Sequence, residues 1–322
     1  MGRGMLTTAE PHSAVTPVLT TTVAREYVHR AALSEVFMTG WNKLGRDVFT
    51  ATAQWPRCHS FYVPEHGLHD PLLLCETIRQ TSTLLAHVGY HIPLGHHLTW
   101  SRMQYVLAPE ALRIGATPAD IQLHVTCSDI RYHRSVPVTM SMHLEVARDG
   151  NPFAMASVRF ASHSPAVYRR LRAGRGDAGE VFAKAPQPPE PVSRSTVGRL
   201  RKQDIVLAPA SERQRWQLRV DTSHPVLFDH ALDHVPGMLL LESVRQAAHA
   251  MEPGRATAVL PTSMDVSFNR YVEFDEPCWI QAEPAATKAS STDARSTIRV
   301  NAVQKGFFAF HASAELADAA CI

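Results

Sequence analysis

Three polar residues recur in one arrangement inside two apolar segments. Glu76, Arg79 and Gln80 lie in DPLLLCETIRQ (70–80), and Glu242, Arg245 and Gln246 lie in PGMLLLESVRQ (236–246). Aligned without gaps, 166 positions apart, five of the eleven positions are identical: these three and two leucines. Spacing of i, i+3 and i+4 places the trio on one face of a helix. The other positions are almost wholly apolar, which marks a buried helix. A buried Glu and Arg are costly unless paired or put to use. On an exposed helix the same residues would be an ion pair worth about 0.2–0.5 kcal/mol; the duplication and the apolar flanks favour a functional trio. Desolvation raises a carboxyl pKa toward neutrality, which suits a general base. A guanidinium grips phosphate through two parallel hydrogen bonds. Gly237, at the start of the second helix, permits close approach to backbone N–H groups that can hold an oxyanion.

Other chemistry is sparse. His59 and His224 occupy matching places before the two helices, and His66, His69, His230 and His234 lie in irregular approach segments. His230 and His234 stand at i and i+4 in HALDH, but without the glutamate of HExxH or an evident third ligand, so no metal is expected. HGLHD (66–70) fits a short HxxxD acyltransferase pattern whose partner motif is absent, and His96-His97 read as capping or packing residues. No GxSxG elbow, phosphate-binding P-loop or GxGxxG occurs. Direct transfer without a covalent enzyme intermediate is the simpler scheme, with Cys75 as the residual nucleophile and no cofactor called for.

The elements that must carry these residues also come in two sets. Residues 1–20 read as a loose arm, 21–171 as a first unit, 172–196 (Gly/Pro/Ala-rich, aperiodic) as a linker, and 197–322 as a second unit. In the first, DVFTATAQW alternates as a strand, FYVPEHGLHD approaches a buried helix at about 71–88, and three β-rich stretches follow between 121 and 162. In the second, RWQLRVDTSHP is the strand, VLFDHALDHVPG the approach, and 237–251 the helix, followed by VSFNRYVEF, CWIQAEP, RSTIRVNAVQ and GFFAFHASAEL. NPFAMAS and GFFAFHA read as equivalent final strands.

At 322 residues the chain can bury two cores. A formal charge of +2 offers no polyanion surface, so no nucleic-acid partner is expected. Five scattered cysteines without CxxC spacing point to reduced thiols and a cytoplasmic location. No run of eighteen apolar residues occurs, so no membrane span is expected.

HDPLLLCETIRQ followed by PLGHHLTW, SPAVYRRLR, and FDHALDHVPGMLLLESVRQAA resemble the AfsA family, enzymes that make γ-butyrolactone, butenolide and related furan signals. The resemblance runs from about residue 20 to 320. It implies an α+β fold of two tandem hotdogs, each an antiparallel sheet wrapped around a central helix, packed as a pseudo-dimer. It also implies an acyltransferase that joins a β-ketoacyl thioester, on acyl carrier protein or coenzyme A, to dihydroxyacetone phosphate. On that scheme Glu242, Arg245 and Glu76 are catalytic, with Glu242 as base and Arg245 on the phosphate. Arg79, Gln80, Gln246, His230 and Gly237 bind substrate. The favoured pocket centres on Glu242 and Arg245, with Glu76 reaching it from the other half or serving a second pocket. HVPGMLLLESVRQ is also similar to the helix start of hydroxyacyl-thioester dehydratases, with His230 nearest to their catalytic histidine. A thioesterase or dehydratase, or a non-catalytic acyl or lactone sensor, are the other readings, and the chain acts as a monomeric pseudo-dimer or a homodimer.

Overall fold

The computed structural model describes residues 20–173, 175, 177–251, 259–285 and 296–322. Apart from Thr20, the expected arm lies outside them. The first half comprises β1 (Met38–Gly45), β2 (Val48–Trp55), α1 (Leu72–Val88), β3 (His97–Leu107), β4 (Ala119–His133), β5 (Val136–Arg148) and β6 (Asn151–His163). A connection follows with three short helices, α2 (Pro165–Leu171), α3 (Ala178–Ala183) and α4 (Arg194–Val197). The second half comprises β7 (Leu207–Pro209), β8 (Arg215–Leu218), α5 (Gly237–Ala250), β9 (Val259–Phe268), β10 (Cys278–Ala285), β11 (Ser296–Gln304) and β12 (Phe307–Asp318).

All twelve strands join in one antiparallel sheet, ordered β1-β2-β4-β5-β6-β3-β9-β12-β11-β10-β8-β7. Read from either edge inward, the order is the same, and the two halves meet at the β3–β9 seam. There Met103 faces Val266 and Tyr105 faces Met264, while Arg102 pairs with Asp265 at 2.7 Å. The two hotdog halves therefore share a sheet as two subunits of a hotdog dimer would, with α1 and α5 as their central helices.

Alternation dictates the strands. Ile121, Leu123, Val125 and Cys127 of β4 are buried while the residues between them are exposed or half-buried, the period-two pattern of a sheet with one face on a core. The helices obey the complementary rule: α1 and α5 are buried nearly all round. The Asp70 carboxylate accepts from the Leu72 amide at 2.9 Å and so satisfies one orphan donor at the start of α1.

Two strands departed from expectation. The run read as a strand from 215 to 225 ends at Leu218, because Asp221 accepts from the Ser223 amide and hydroxyl and turns the chain. The run from 266 to 274 splits: β9 ends at Phe268, and the Asn269 and Arg270 amides both reach the Ala309 carbonyl. Strands β1, β3 and the short β7 were not foreseen. The first is a half-exposed edge, and β3 alternates cleanly only over its last residues.

Candidate active site

Each repeated glutamate sits inside a clamp, and the two clamps are built from corresponding residues. Glu76 accepts from Arg79 (2.8 and 2.9 Å), from Gln80 (2.6 Å) and from a second arginine, Arg30 (2.7 Å). Glu242 accepts from Arg245 (3.1 Å twice), from Gln246 (2.6 Å) and from Arg199 (2.6 and 2.8 Å). Gln80 also ties the Phe37 amide and Glu35 carbonyl to α1, and Gln246 ties the Val206 amide and Asp204 carbonyl to α5. His59 stands 3.2 Å from Glu35, and His224 stands 3.2 Å from Asp204. Each second arginine then crosses to the other half: Arg30 donates to the Val226 carbonyl and Arg199 to the Phe61 carbonyl. Further along, Arg30 pairs with Asp229 and Arg199 with Asp70, both at 3.5 Å.

This geometry overturns the expected base. Burial alone would raise the Glu242 carboxyl, but Arg199 and Arg245 outweigh it and hold it at about 2. Glu76 is brought to about 2 in the same way by Arg30 and Arg79. Both oxygens of each carboxylate are occupied by donors, an arrangement that favours a structural anion over a proton acceptor. Gln80 and Gln246 likewise spend their amides on the clamps rather than on a ligand.

The two clamps differ in what they face. A cavity of about 690 Å³ opens between α1 and the approach to α5. Arg30, Arg79, His230 and Gly237 line it; Glu242, Arg245 and Glu76 do not. The Arg79 side chain is 20% exposed and that of Arg245 only 2%. This cavity thus opens on the first clamp and on the start of α5, whereas the sequence favoured a pocket at Glu242 and Arg245. Cys75 is buried, absent from this wall, and its thiol is pushed far up by burial.

One end of the cavity is ionic, with Arg30 and Arg79 held by Glu76 and Asp229. Arg79 gives its Nε and Nη2 to Glu76 and to the Val28 carbonyl, and Nη1 has no such bond among the described residues. His230 holds Asp229 through Nδ1 at 2.5 Å, and Asp229 is fixed in turn by the Ala31 amide. His29 lies within electrostatic reach of both Arg79 and His230; burial first, then His87, brings its pKa to about 3. A chain of charged contacts, Arg79–Glu76–Arg30–Asp229–His230, therefore spans the two halves.

The middle and far parts are different. Pro236 is extended (φ −66°, ψ 146°), and α5 starts at Gly237, where an added Cβ would come to 3.3 Å from Phe268. The absent side chain keeps Phe268 against the helix start. Phe268, Trp100, Phe160 and Leu240 supply an apolar wall. Near Pro236, Asp233 and His234 form a second carboxylate–imidazole pair at 2.7 Å. The Asp233 carboxylate also accepts from the Tyr168 hydroxyl (2.8 and 3.0 Å) and from Arg172 (2.9 Å). Sequence reasoning weighed His234 only as half of a metal pair and missed Arg30, Arg199, Asp229 and Asp233. REYVHRAALSEVF (25–37) and RSTVGRLRKQDIV (194–206) align without gaps and hold Arg30 and Arg199 in register, which is the signal that could have found them. Among the described residues, no cluster of His, Cys, Asp and Glu is placed to hold a metal, and no helix is long and apolar enough to cross a membrane.

The A-factor biosynthesis hotdog domain model of the AfsA family matches residues 12–163 and 182–316. A curated 2-oxo-3-(phosphooxy)propyl 3-oxoalkanoate synthase from Streptomyces virginiae is 47% identical over 83% of this chain and 88% of its own. One of the same name from Streptomyces griseus is 40% identical over 88% of this chain and 92% of its own. Among solved structures, the 12:0-ACP thioesterase from Umbellularia californica superposes with a TM-score of 0.52 at 11% identity, covering 86% of this chain and 100% of that one. A putative oleoyl thioesterase from Lactobacillus plantarum gives 0.52 at 10% identity, over 86% and 98%. These likenesses establish the shared hotdog fold.

Proposed function

The chain belongs to the AfsA family of A-factor biosynthesis hotdog proteins, and on that premise we propose that it is an acyltransferase that moves a β-ketoacyl group from a thioester to dihydroxyacetone phosphate. The relatives' name describes such a product: a 3-oxoalkanoyl chain joined through oxygen to a 2-oxo-3-phosphooxypropyl group. The hydroxyl oxygen attacks the thioester carbonyl carbon, the carbonyl oxygen becomes an oxyanion, and the C–S bond breaks to release the thiol.

The observation that carries this reading is the division of one cavity into an end where Arg79 presents a nitrogen not used by its carboxylate partner and an apolar wall, with a helix start between them. The phosphate goes to Arg79, through Nη1, with His230 beside it. Glu76 and Arg30 hold Arg79 in place and are positioning residues. The thioester oxygen lies at the start of α5, toward the N–H groups of its first turn. The acyl chain runs along Trp100, Phe160 and Phe268. Its carrier is acyl carrier protein or coenzyme A, and one chain, holding both halves, suffices for one cavity. The reactants are cytoplasmic metabolites, and the five free thiols fit that compartment.

The test is to incubate the purified protein with a β-ketoacyl thioester and dihydroxyacetone phosphate and to follow the products by mass. A phosphorylated ester supports the transferase. Free β-keto acid at the same rate with and without the triose phosphate would assign a thioesterase, and no thioester turnover would leave a binding protein.

A further inference from the structure

We infer that the Asp233–His234 pair is the general base of the acyl transfer, aligned by Tyr168 and Arg172 from the connection between the halves. The inference rests on the transferase reading and names the group it lacks.

The proton acceptor must line the cavity, keep a lone pair available and stand near the helix start. Glu76 and Glu242 fail on the first two counts. His29 is engaged through Nε2 with His87 at 2.8 Å. His97 is stacked face to face on Tyr168, 3.6 Å between centroids. His96 is held through Nδ1 by the neutral Ser162 hydroxyl rather than by a carboxylate, and His163 bonds Thr99 and does not line the cavity. His230 and His234 remain, each held through Nδ1 by the aspartate before it, so that Nε2 is the nitrogen left for a substrate.

Charge separates the two. Around His230, Arg30 and Arg79 are balanced by Glu76 and Asp229, two cations against two anions. Around His234, Arg172 and Arg175 meet Asp233, Glu273 and Asp275, two against three. The surroundings of His234 thus hold one more acidic than basic side chain, and those of His230 hold equal numbers. Position agrees: His234 lies three residues before Gly237, whereas His230 shares its electrostatic neighbourhood with Arg79, at the phosphate end.

The support is dense. Arg172 donates to the Asp233 carboxylate and to its backbone carbonyl, and a bidentate contact with Glu273 fixes the guanidinium (2.7 and 2.8 Å). The Tyr168 hydroxyl reaches Asp233, and the Tyr271 ring packs edge-on against His234 at 4.7 Å. In the reaction, His234 Nε2 accepts the hydroxyl proton as the oxygen attacks the carbonyl carbon. When the intermediate collapses and the C–S bond breaks, the imidazolium returns that proton to the departing thiolate. No proton is gained or lost overall.

His234→Gln should lower kcat by roughly 10²–10⁴-fold, leave the Kd for dihydroxyacetone phosphate by calorimetry unchanged, and flatten the acidic limb of the kcat/KM profile. His230→Gln should instead raise the KM for dihydroxyacetone phosphate while the acidic limb persists. Tyr168→Phe, which keeps the ring and its stacking, should lower kcat by about tenfold at unchanged KM and move the limb. If His234→Gln keeps kcat within a fewfold of wild type, or if the limb vanishes in His230→Gln instead, the assignment is overturned. If His234→Gln does not fold, an unmoved limb in Tyr168→Phe overturns it. Absence of ester from the wild-type protein would defeat the transferase reading itself, a separate outcome.

Discussion

Replacing Glu242 by glutamine separates a clamp from a catalyst. The carboxylate is fully buried and accepts from two guanidiniums and one amide. An amide of the same shape keeps the volume but leaves Arg199 and Arg245 buried without their carboxylate partner, with Asp70 3.5 Å from Arg199 and Glu65 within electrostatic reach of both. Breaking a buried pair by removing one partner costs about 3–5 kcal/mol. In a chain of this size each kcal/mol moves the melting midpoint by about 2 °C, so Glu242→Gln should melt about 6–10 °C lower. The pH dependence has a definite sign. A carboxyl held at about 2 from an ordinary 4.5 stabilises the fold fully above 4.5 and loses that contribution as pH falls toward 2. Wild type should therefore lose stability steeply between pH 4.5 and 2, and Glu242→Gln less so. Calorimetry across that window, beside turnover at 20 °C, decides the matter. An unchanged melting point together with a kcat loss of roughly 10²-fold or more would refute the clamp and restore Glu242 as a base.

Arg79→Ala should raise the KM for dihydroxyacetone phosphate far more than that for the thioester, and Arg79→Lys should rescue poorly, because an ammonium cannot hold Glu76 through two parallel bonds and present a further nitrogen to the phosphate; steady-state kinetics with each substrate varied reads this. Arg245→Ala should lower the melting point by several degrees and leave triose phosphate saturation as in wild type. Gly198→Ala places a Cβ 2.8 Å from His249 at φ +64°, and should destabilise by about 1–3 kcal/mol in chemical denaturation. Residues 20–171 expressed alone should fail to give cooperative unfolding, since β3 loses its β9 partner and Arg30 loses the Val226 carbonyl.

Much of the architecture is legible in the chain because periodicity is local. The twin helices, the β4–β5–β6 and β10–β11–β12 sheets and the duplication all follow from spacing that any short window reveals. The site is harder to read, because its decisive contacts join residues far apart. Nothing near Glu242 announces Arg199, and nothing near Arg30 announces Asp229. Without those partners a buried glutamate reads as a raised-pKa base; with them it is a strongly acidic structural anion. The same limit hid the second pair. Asp233-His234 is an unremarked dipeptide until Tyr168 and Arg172, more than sixty residues upstream, close around it. Trp100 and Phe268 escaped for a simpler reason: they lie at strand ends, where alternation no longer tells which face is buried.

The crossing arginines impose a timetable on synthesis. Arg30 leaves the ribosome early, but the Val226 carbonyl and Asp229 that complete its surroundings follow almost two hundred residues later. Until then the first half carries a half-matched guanidinium and an unpaired β3 edge. Arg199, by contrast, meets the waiting Phe61 carbonyl and Asp70 as soon as it emerges, and lacks only Glu242. The closed clamp can therefore form as the second helix is made, before β9 to β12 have been translated. The cavity is finished last, because Phe268 of its apolar wall lies in β9, downstream of both central helices.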